Sequence, residues 1–380
     1  MGLAITMLAS GFTRQLMFWL AVVLTTLPTL SHAGDTPVPE KIRKIDLKSI
    51  SIPLNHKNIS ENKAGALTYL GGVQLFSNSA SFGGISGFVI SPDGDRILGV
   101  SDRGFWFLAN VMYDKGHLVG LQNGEMSPLS DEKGRQYRGK ESDAEAVTLV
   151  DSGGLVVSFE NDHRFRYYQA SSTLNFDSVL KSNAQVISFA PDLSPVLEGL
   201  PKNLGIEALT TLTDGRMLAI SEAALENSNN GMARAWIIGR GAVLPLTYEL
   251  TDLYRPTDMA TLPDGDVLVL ERHFSLARGM ASRLRHIKAA DIREGTELKG
   301  EVIACMEFPY NIDNMEALAV RQNEAGETIV YMMSDNNFNP LQRNLLMMFR
   351  LDQEEKPEQP QPAFSGQQLA QTMGLVAGNR

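Results

Sequence analysis

Cysteine is almost absent from this sequence: Cys305 is the only one among 380 residues. A single cysteine excludes an internal disulfide, so the fold must be stable through its apolar core alone. Basic residues are also scarce, because 34 Lys and Arg stand against 44 Asp and Glu and form no prominent cluster. The net charge of −10 argues against a nucleic-acid partner and is compatible with bound cations.

Short catalytic and cofactor motifs are missing as well. The sequence contains no H-E-x-x-H, no Cys-x-x-Cys pair, no G-x-x-x-x-G-K phosphate loop and no dinucleotide fingerprint. The segment around Ser86 is not a G-x-S-x-G nucleophile elbow, because Phe88 occupies the final glycine position. These absences leave two possibilities, metal-assisted hydrolysis or a function without catalysis.

A hydrophobic run near the N-terminus predicts export. Arg14 is followed by an apolar run from Leu16 to Leu30, and Ser31, His32 and Ala33 come next. The run is short for a membrane-spanning helix and contains Thr and Pro, so a retained anchor is the weaker alternative. We expect residues 1–33 to be a cleaved signal peptide, the protein to be periplasmic or secreted, and no stable membrane span to remain after cleavage.

Internal repeats are the strongest signal in the sequence. Each of five segments has a short alternating strand, a glycine-containing turn and a second apolar strand that ends on Asp or Glu, which is typical of a β-hairpin. The spacing between successive segments averages 57.5 residues. Their opening residues are Ser86, Glu145, Glu207, Asp258 and Glu316.

That spacing favours an all-β propeller, because a hairpin of about 18 residues leaves roughly 40 for two further strands of a four-stranded blade. Dividing the 347 residues after Ala33 by the spacing predicts a six-bladed β-propeller, with five blades as the alternative. The sixth blade would combine strands around Ala66–Phe76 with Leu345–Leu351 and so remove exposed sheet edges. Residues 34–352 would form this domain, and 353–380 a disordered polar tail.

The first repeat position is mostly acidic. The inner strands of a propeller line its channel, so Glu145, Glu207, Asp258 and Glu316 are predicted to converge there, with Ser86 at the fifth place. Clustered carboxylates are costly unless a cation or bound protons neutralise them. Oxygen ligands without Cys or paired His favour Ca²⁺, with Mg²⁺ as an alternative. These side chains could instead cap strand ends or line a solvated, metal-free channel.

A second repeat position ends the hairpins and brings basic residues to the same end of the ring. Arg103 and Arg272 follow acidic residues there and are candidates for holding a phosphate or carboxylate group. His163 and His273 are candidate general acids or bases, although a structural role is equally compatible with their positions.

The ordered motifs resemble a known family. GISGFVISPDG, SDRG, DAEAV, SFEND, GIEAL with ISE, PTDMATLPDG with LERHF, and NMEAL with SDNNF are similar to the bacterial phytase-like family, often described as having esterase-like activity. The similarity runs from about Gly83 to Leu351. It implies an exported propeller with a hydrolase activity distantly similar to that of calcium-dependent propeller phytases, which bind several Ca²⁺ ions.

Two functions of different class are therefore predicted. One is a Ca²⁺-dependent hydrolase of phosphate or related esters, acting as a monomer on a small anionic substrate. The other is a non-catalytic ligand- or protein-binding propeller of the cell envelope, since the fold alone does not specify a reaction.

Overall fold

The computed structural model describes residues 42–170, 175–187, 193–225 and 231–352. The expected signal peptide, residues 1–33, and the expected tail, residues 353–380, lie outside these ranges. Within them, no helix has the length and apolar character needed to cross a lipid bilayer.

The described residues form five sheets arranged as the blades of a β-propeller, which confirms the all-β class. In blades 1 to 4 the first four strands, counted from the channel, follow the chain outward. Blade 1 contains Ile85–Ile90, Arg96–Ser101, Phe105–Asp114, His117–Pro128 and the edge strand Arg43–Lys44. Blade 2 contains Ala144–Val150, Gly154–Phe159, Arg164–Gln169 and Ala184–Gln185. Blade 3 contains Ile206–Thr211, Met217–Ala224, Met232–Gly239, Ala242–Glu249 and Glu297–Leu298.

The last two blades complete the ring. Blade 4 contains Arg255–Thr261, Val267–Ser275, Gly279–Ile287 and Glu301–Glu307. Blade 5 contains Met315–Gln322, Thr328–Ser334, Asn344–Leu351, Leu67–Phe76 and Lys48–Ser51, with Lys63–Ala64 paired to the fourth of these. Helical structure in the described residues is limited to the α-helical turns Phe176–Val179 and Ser194–Leu197 and the 3₁₀ turns Gly139–Glu141 and Ala289–Asp291.

The predicted number of six blades is wrong, and the five-bladed alternative is confirmed. Strands from both ends of the domain do share a blade, but that blade is the fifth: Asn344–Leu351 pairs with Thr328–Ser334 on one side and with Leu67–Phe76 on the other. Chain length overestimated the count because the described residues before Leu67 add only short edge strands and connections.

Each inner strand turns into the second strand at a glycine with positive φ, such as Gly94 at 84° and Gly265 at 94°. A Cβ is strained in this region of backbone conformation, which explains the glycine in every repeat. The five inner strands contact one another in sequence, and the contact between Met315–Gln322 and Ile85–Ile90 closes the ring.

The core lies between the blades. Five apolar clusters of described residues each fill the interface between two neighbouring blades. Between blades 5 and 1, for example, Tyr331 and Leu346 pack with Ile85 and Phe107. Because apolar burial is the main stabilising contribution to folding, the closed ring is needed to bury all five clusters.

Candidate functional site

A β-bulge near the start of every inner strand places one residue per blade at the same end of the channel. The pairing of inner and second strands shifts by one residue at this point in all five blades. Bulges of this kind redirect side chains out of the regular alternation. The residues at the bulge are Ser86, Glu145, Glu207, Thr257 and Glu316.

Asp258 does not share this position, which corrects its expected place in the ring. Thr257 lies at the bulge of blade 4, and Asp258 is the next residue, paired with Leu270. Its carboxylate is buried and accepts hydrogen bonds from the backbone N–H groups of Met259 at 2.8 Å and Leu318 at 2.7 Å. The structure therefore uses Asp258 to join blade 4 to blade 5.

The ends of the second strands form a second set of side chains beside the bulges. Each residue of this set directly follows the one that pairs with the residue before the bulge, and the set is Asp102, Glu160, Glu222, Arg272 and Asp335. Blade 4 thus contributes an arginine where the other blades contribute acids. Glu271 is fully buried elsewhere, where it accepts a hydrogen bond from Tyr248 at 2.8 Å and pairs with Arg283.

Two further residues come from the segments just before the inner strands. Asp143 and Asn314 each lie two residues before a bulge glutamate. The ligand oxygens of Asp143, Glu145 and Glu160 lie within 4.8 Å of one another. We call the eight acids at this end of the channel the carboxylate cluster: Asp102, Asp143, Glu145, Glu160, Glu207, Glu222, Glu316 and Asp335.

Burial raises the pKa of all eight carboxyl groups, and repulsion from neighbouring acids adds to the rise in most of them. Burial, with smaller contributions from acidic neighbours, raises the pKa of Asp102 and of Glu160 to about 7 and that of Asp335 to about 6. Burial likewise raises the pKa of Glu316 to about 8, although Arg272 acts in the opposite direction. A group of acids in this state is stabilised by any cation that enters between them.

Arg272 makes the cluster asymmetric. Its guanidinium donates a hydrogen bond to Asn314 Oδ1 at 2.7 Å and lies 3.5 Å from Glu316 and 3.7 Å from Glu222. No ion pair to Asp143 or Glu145 occurs among the described residues. The positive charge therefore lies on the side of blades 3 to 5, and the side of blade 2 is left with the closest acidic triplet.

The other predicted site residues take different positions. Arg103 is exposed at the rim, with its guanidinium carbon 3.2 Å from the centre of the Phe338 ring. His163 adjoins Glu160: a Cβ on Gly205 would lie 3.2 Å from His163 Nδ1 and 3.4 Å from Glu160 Cγ. His273 faces away from Arg272 in strand alternation and packs on Tyr254, with ring centres 5.4 Å apart.

The residues of the cluster fit a hard metal ion. All the ligands offered are oxygens, the set preferred by Ca²⁺ and Mg²⁺. Asp102 Oδ1 is buried and has no hydrogen-bond partner among the described residues, an arrangement that is costly without a further ligand. The acidic triplet Asp143, Glu145 and Glu160 can hold a metal ion.

Fold and site together define a five-bladed propeller with an acidic centre at one end of its channel. Residues 80–338 match the family described as "Phytase-like: Esterase-like activity of phytase", and the chain belongs to this family. The predicted resemblance is thus confirmed. No curated protein matches the chain. A solved structure described as a "putative gluconolactonase" aligns with 80% of this chain and 94% of its own, at 10% identity and a TM-score of 0.38.

Proposed function

We propose that the protein is an exported, Ca²⁺-dependent hydrolase that acts as a monomer on small phosphate esters or related anionic esters. The observation that carries the proposal is the convergence of eight carboxylates and one arginine at one end of the channel. The family's description as having esterase-like activity supports the same reaction class.

Asp143, Glu145 and Glu160 are the residues we assign to the cation, with Glu207 beside them. The pKa of Glu145 and of Glu207 is raised by burial and by repulsion from neighbouring acids, so a divalent ion would relieve unfavourable charge at both. Ca²⁺ suits this site because it accepts six to eight oxygens in flexible geometry. When bound, such an ion supplies Lewis acidity toward a phosphoryl or acyl oxygen.

Arg272 is assigned to the anionic group of the substrate. It lies across the channel from the acidic triplet, and its contacts to Glu222, Glu316 and Asn314 fix the guanidinium in place. A guanidinium held in this way can form paired hydrogen bonds to two oxygens of a phosphate or carboxylate. Arg103 at the rim is assigned to the first encounter with the anion.

His163 is assigned to proton transfer at the edge of the cluster. Its Nε2 lies 2.9 Å from the carbonyl oxygen of Pro201, and Nδ1 is buried without a hydrogen-bond partner among the described residues. An imidazole fixed at one nitrogen and free at the other can exchange a proton with a group bound beside Glu160. For His273 the packing on Tyr254 supports a positioning role.

Thermal unfolding and hydrolysis measured on the same samples test this function. Ca²⁺ at a hundredfold excess over Kd should stabilise the protein by about 2.7 kcal/mol relative to EDTA. p-Nitrophenyl phosphate and p-nitrophenyl acetate should be hydrolysed with Ca²⁺ and not with EDTA. Repeating both measurements with Mg²⁺ in place of Ca²⁺ shows which of the two ions the site prefers.

Two variants distinguish cation binding from binding of the anionic group of the substrate. Glu145→Gln should remove most of the Ca²⁺ stabilisation, and the exposed Glu294→Gln is its matched control. Arg272→Lys should keep the Ca²⁺ response and lower kcat/KM for the phosphate ester. Identical melting temperatures in Ca²⁺ and EDTA would refute the metal site. A clear Ca²⁺ response without any ester hydrolysis would favour the ligand-binding propeller instead.

Export is tested separately by intact-mass measurement on periplasmic material. The apolar run that ends before Ala33 supports cleavage after that residue. A mature protein that begins at Gly34 is expected. A protein that retains residues 1–33 would contradict export with cleavage.

A further inference from the structure

A cleft of about 570 Å³ opens between blades 4 and 5. Its blade 4 wall is the tip of the hairpin formed by Val267–Ser275 and Gly279–Ile287. Its other wall is the connection that leads from blade 4 into the inner strand of blade 5, together with residues of the N-terminal segment and of the blade 5 top loop. The lining includes His56, Arg278, Met280, Phe308, Ile312 and Arg343.

The blade 4 wall of the cleft continues into the carboxylate cluster. Phe274 lies two residues beyond Arg272 on the same strand, so alternation places both on one face of the sheet. Met280, which lines the cleft, is paired directly with Phe274. That face is directed toward blade 5, because Arg272 contacts Asn314 at 2.7 Å. One strand repeat of about 7 Å therefore separates Arg272 from Phe274, whose paired residue Met280 lines the cleft.

The blade 5 wall continues into the cluster in the same way. Ile312 lines the cleft and lies two residues before Asn314. Arg343 fixes this segment: its guanidinium donates to Ile312 O at 2.8 Å and to Asp313 Oδ2 at 3.1 Å. Both walls thus lead from solvent to the hydrogen bond between Arg272 and Asn314.

The lining combines aromatic surface with positive charge. The Phe308 side chain is 60% exposed, and Lys57 Nζ lies 4.5 Å from the centre of its ring. Arg278 is held at the cleft by an ion pair to Glu307, and its guanidinium remains partly exposed. Next to the lining, Leu276 is 86% exposed at the hairpin tip. Exposed aromatic and apolar groups beside guanidinium groups are suited to a planar, anionic organic molecule.

We propose that this cleft binds the aryl group of an anionic aryl ester whose reacting group is held at Arg272. The inference rests on the proposed hydrolase function and adds the substrate class to it. An aryl group of two fused six-membered rings fits a cleft of this volume. Its anionic substituent reaches Arg272 along the sheet face that carries both Phe274 and Arg272. A compact polyanion without an apolar part would leave the aromatic lining unused.

Binding of 1-naphthalenesulfonate in the presence of EDTA tests the cleft independently of metal and catalysis. Isothermal titration should give one saturable site in the wild-type protein. Arg278→Gln and Phe308→Ala should each weaken it about tenfold, the effect of losing one cation–π contact or one aromatic contact with the naphthyl ring. Arg240→Gln is the matched control, because Arg240, like Arg278, is an exposed arginine beside one carboxylate, in this case Asp214 at a turn of blade 3. Absence of saturable binding, or equal affinity in all variants, would overturn the proposal.

Kinetics then connect the cleft to the reaction. With Ca²⁺, 1-naphthyl phosphate should have a lower KM than methyl phosphate in the wild type, and Phe308→Ala should reduce this difference by raising KM for the naphthyl ester. Sulfonate binding that depends on the cleft, without hydrolysis of either ester, would refute the hydrolase and retain the cleft. Hydrolysis of both esters with equal KM values in wild type and Phe308→Ala would refute the cleft and retain the hydrolase.

Discussion

The carboxylate cluster should make the metal-free protein less stable as the pH rises. In the folded protein burial raises the pKa of Asp102 and Glu160 to about 7 and that of Glu316 to about 8. In the unfolded chain the same groups titrate near pH 4. Between these values the folded state binds more protons than the unfolded state, so the free energy of unfolding decreases with increasing pH. The stabilisation is complete below about pH 4 and is lost as the pH rises through 7.

Glu160 alone gives the scale of the effect. Its side chain is buried, and raising its pKa from 4.5 to about 7 corresponds to about 3 kcal/mol at 1.4 kcal/mol per unit. A folded domain of about 300 residues has an unfolding entropy of about 0.6 kcal/mol/K, so this residue accounts for about 5 °C in Tm. The other raised acids add to the same slope.

Differential scanning fluorimetry in EDTA between pH 5.5 and 8 measures this slope. The wild-type Tm should fall by at least about 5 °C over this range, and saturating Ca²⁺ at pH 8 should restore it. Glu160→Gln should make the EDTA profile less steep and raise Tm at pH 8, since the amide oxygen can still accept the 3.0 Å hydrogen bond from Gly205 N–H. Glu294→Gln should follow the wild type. A flat or rising wild-type profile in EDTA would refute the reasoning.

Three further predictions test the roles that the structure indicates for single residues and for the last strand. Asp143→Asn should abolish most of the Ca²⁺-dependent rise in Tm, whereas Asp258→Asn should cost about 1–3 kcal/mol by losing a buried backbone hydrogen bond and keep the Ca²⁺ response. Thermal scans of both variants with and without Ca²⁺ measure this difference. Loss of the Ca²⁺ response in both variants would contradict the assignment of Asp143, and not Asp258, to the cation. Glu271→Gln should destabilise the protein by about 3–5 kcal/mol in urea, because Arg283 loses its buried partner; a loss below about 1 kcal/mol would contradict this role. Ending the chain before Asn344 should abolish cooperative unfolding in circular dichroism, and a preserved transition would show that blade 5 closes without Asn344–Leu351.

Repeat spacing was sufficient to predict the propeller and the acidic character of its site. The alternating strands and glycine-containing turns predicted all five hairpins, and three of the predicted ring acids, Glu145, Glu207 and Glu316, lie at bulges. The blade count was overestimated because a length-based estimate cannot separate blade strands from edge strands and connections.

The position of blade 4 shows where side-chain matching misleads. Asp258 was aligned with the other acids by its charge, but Thr257 lies eight residues before the turn glycine Gly265, as Glu207 lies before Gly215. Counting residues back from the turn glycine would have placed Thr257 at the bulge position. It would also have placed Arg272 at the position that is acidic in the second strands of the other blades. Asp143 could have been found only from the bulge geometry, which has no sequence signature of its own.

The pairing of Asn344–Leu351 with Leu67–Phe76 also determines when the molecule can fold. Thr68 and Asp352, which are hydrogen-bonded at 2.7 Å, are 284 positions apart in the chain. Contacts of such sequence separation slow folding, because most of the chain must be ordered before they form. A nascent chain that has reached Gln322 carries four complete blades, the inner strand of the fifth and, near its start, the outer strands Leu67–Phe76 and Lys48–Ser51. Because the two strands between them are missing, both ends of this array expose sheet edges and an uncovered apolar cluster. The protein is therefore most vulnerable to aggregation and proteolysis late in synthesis, just before its last strand arrives.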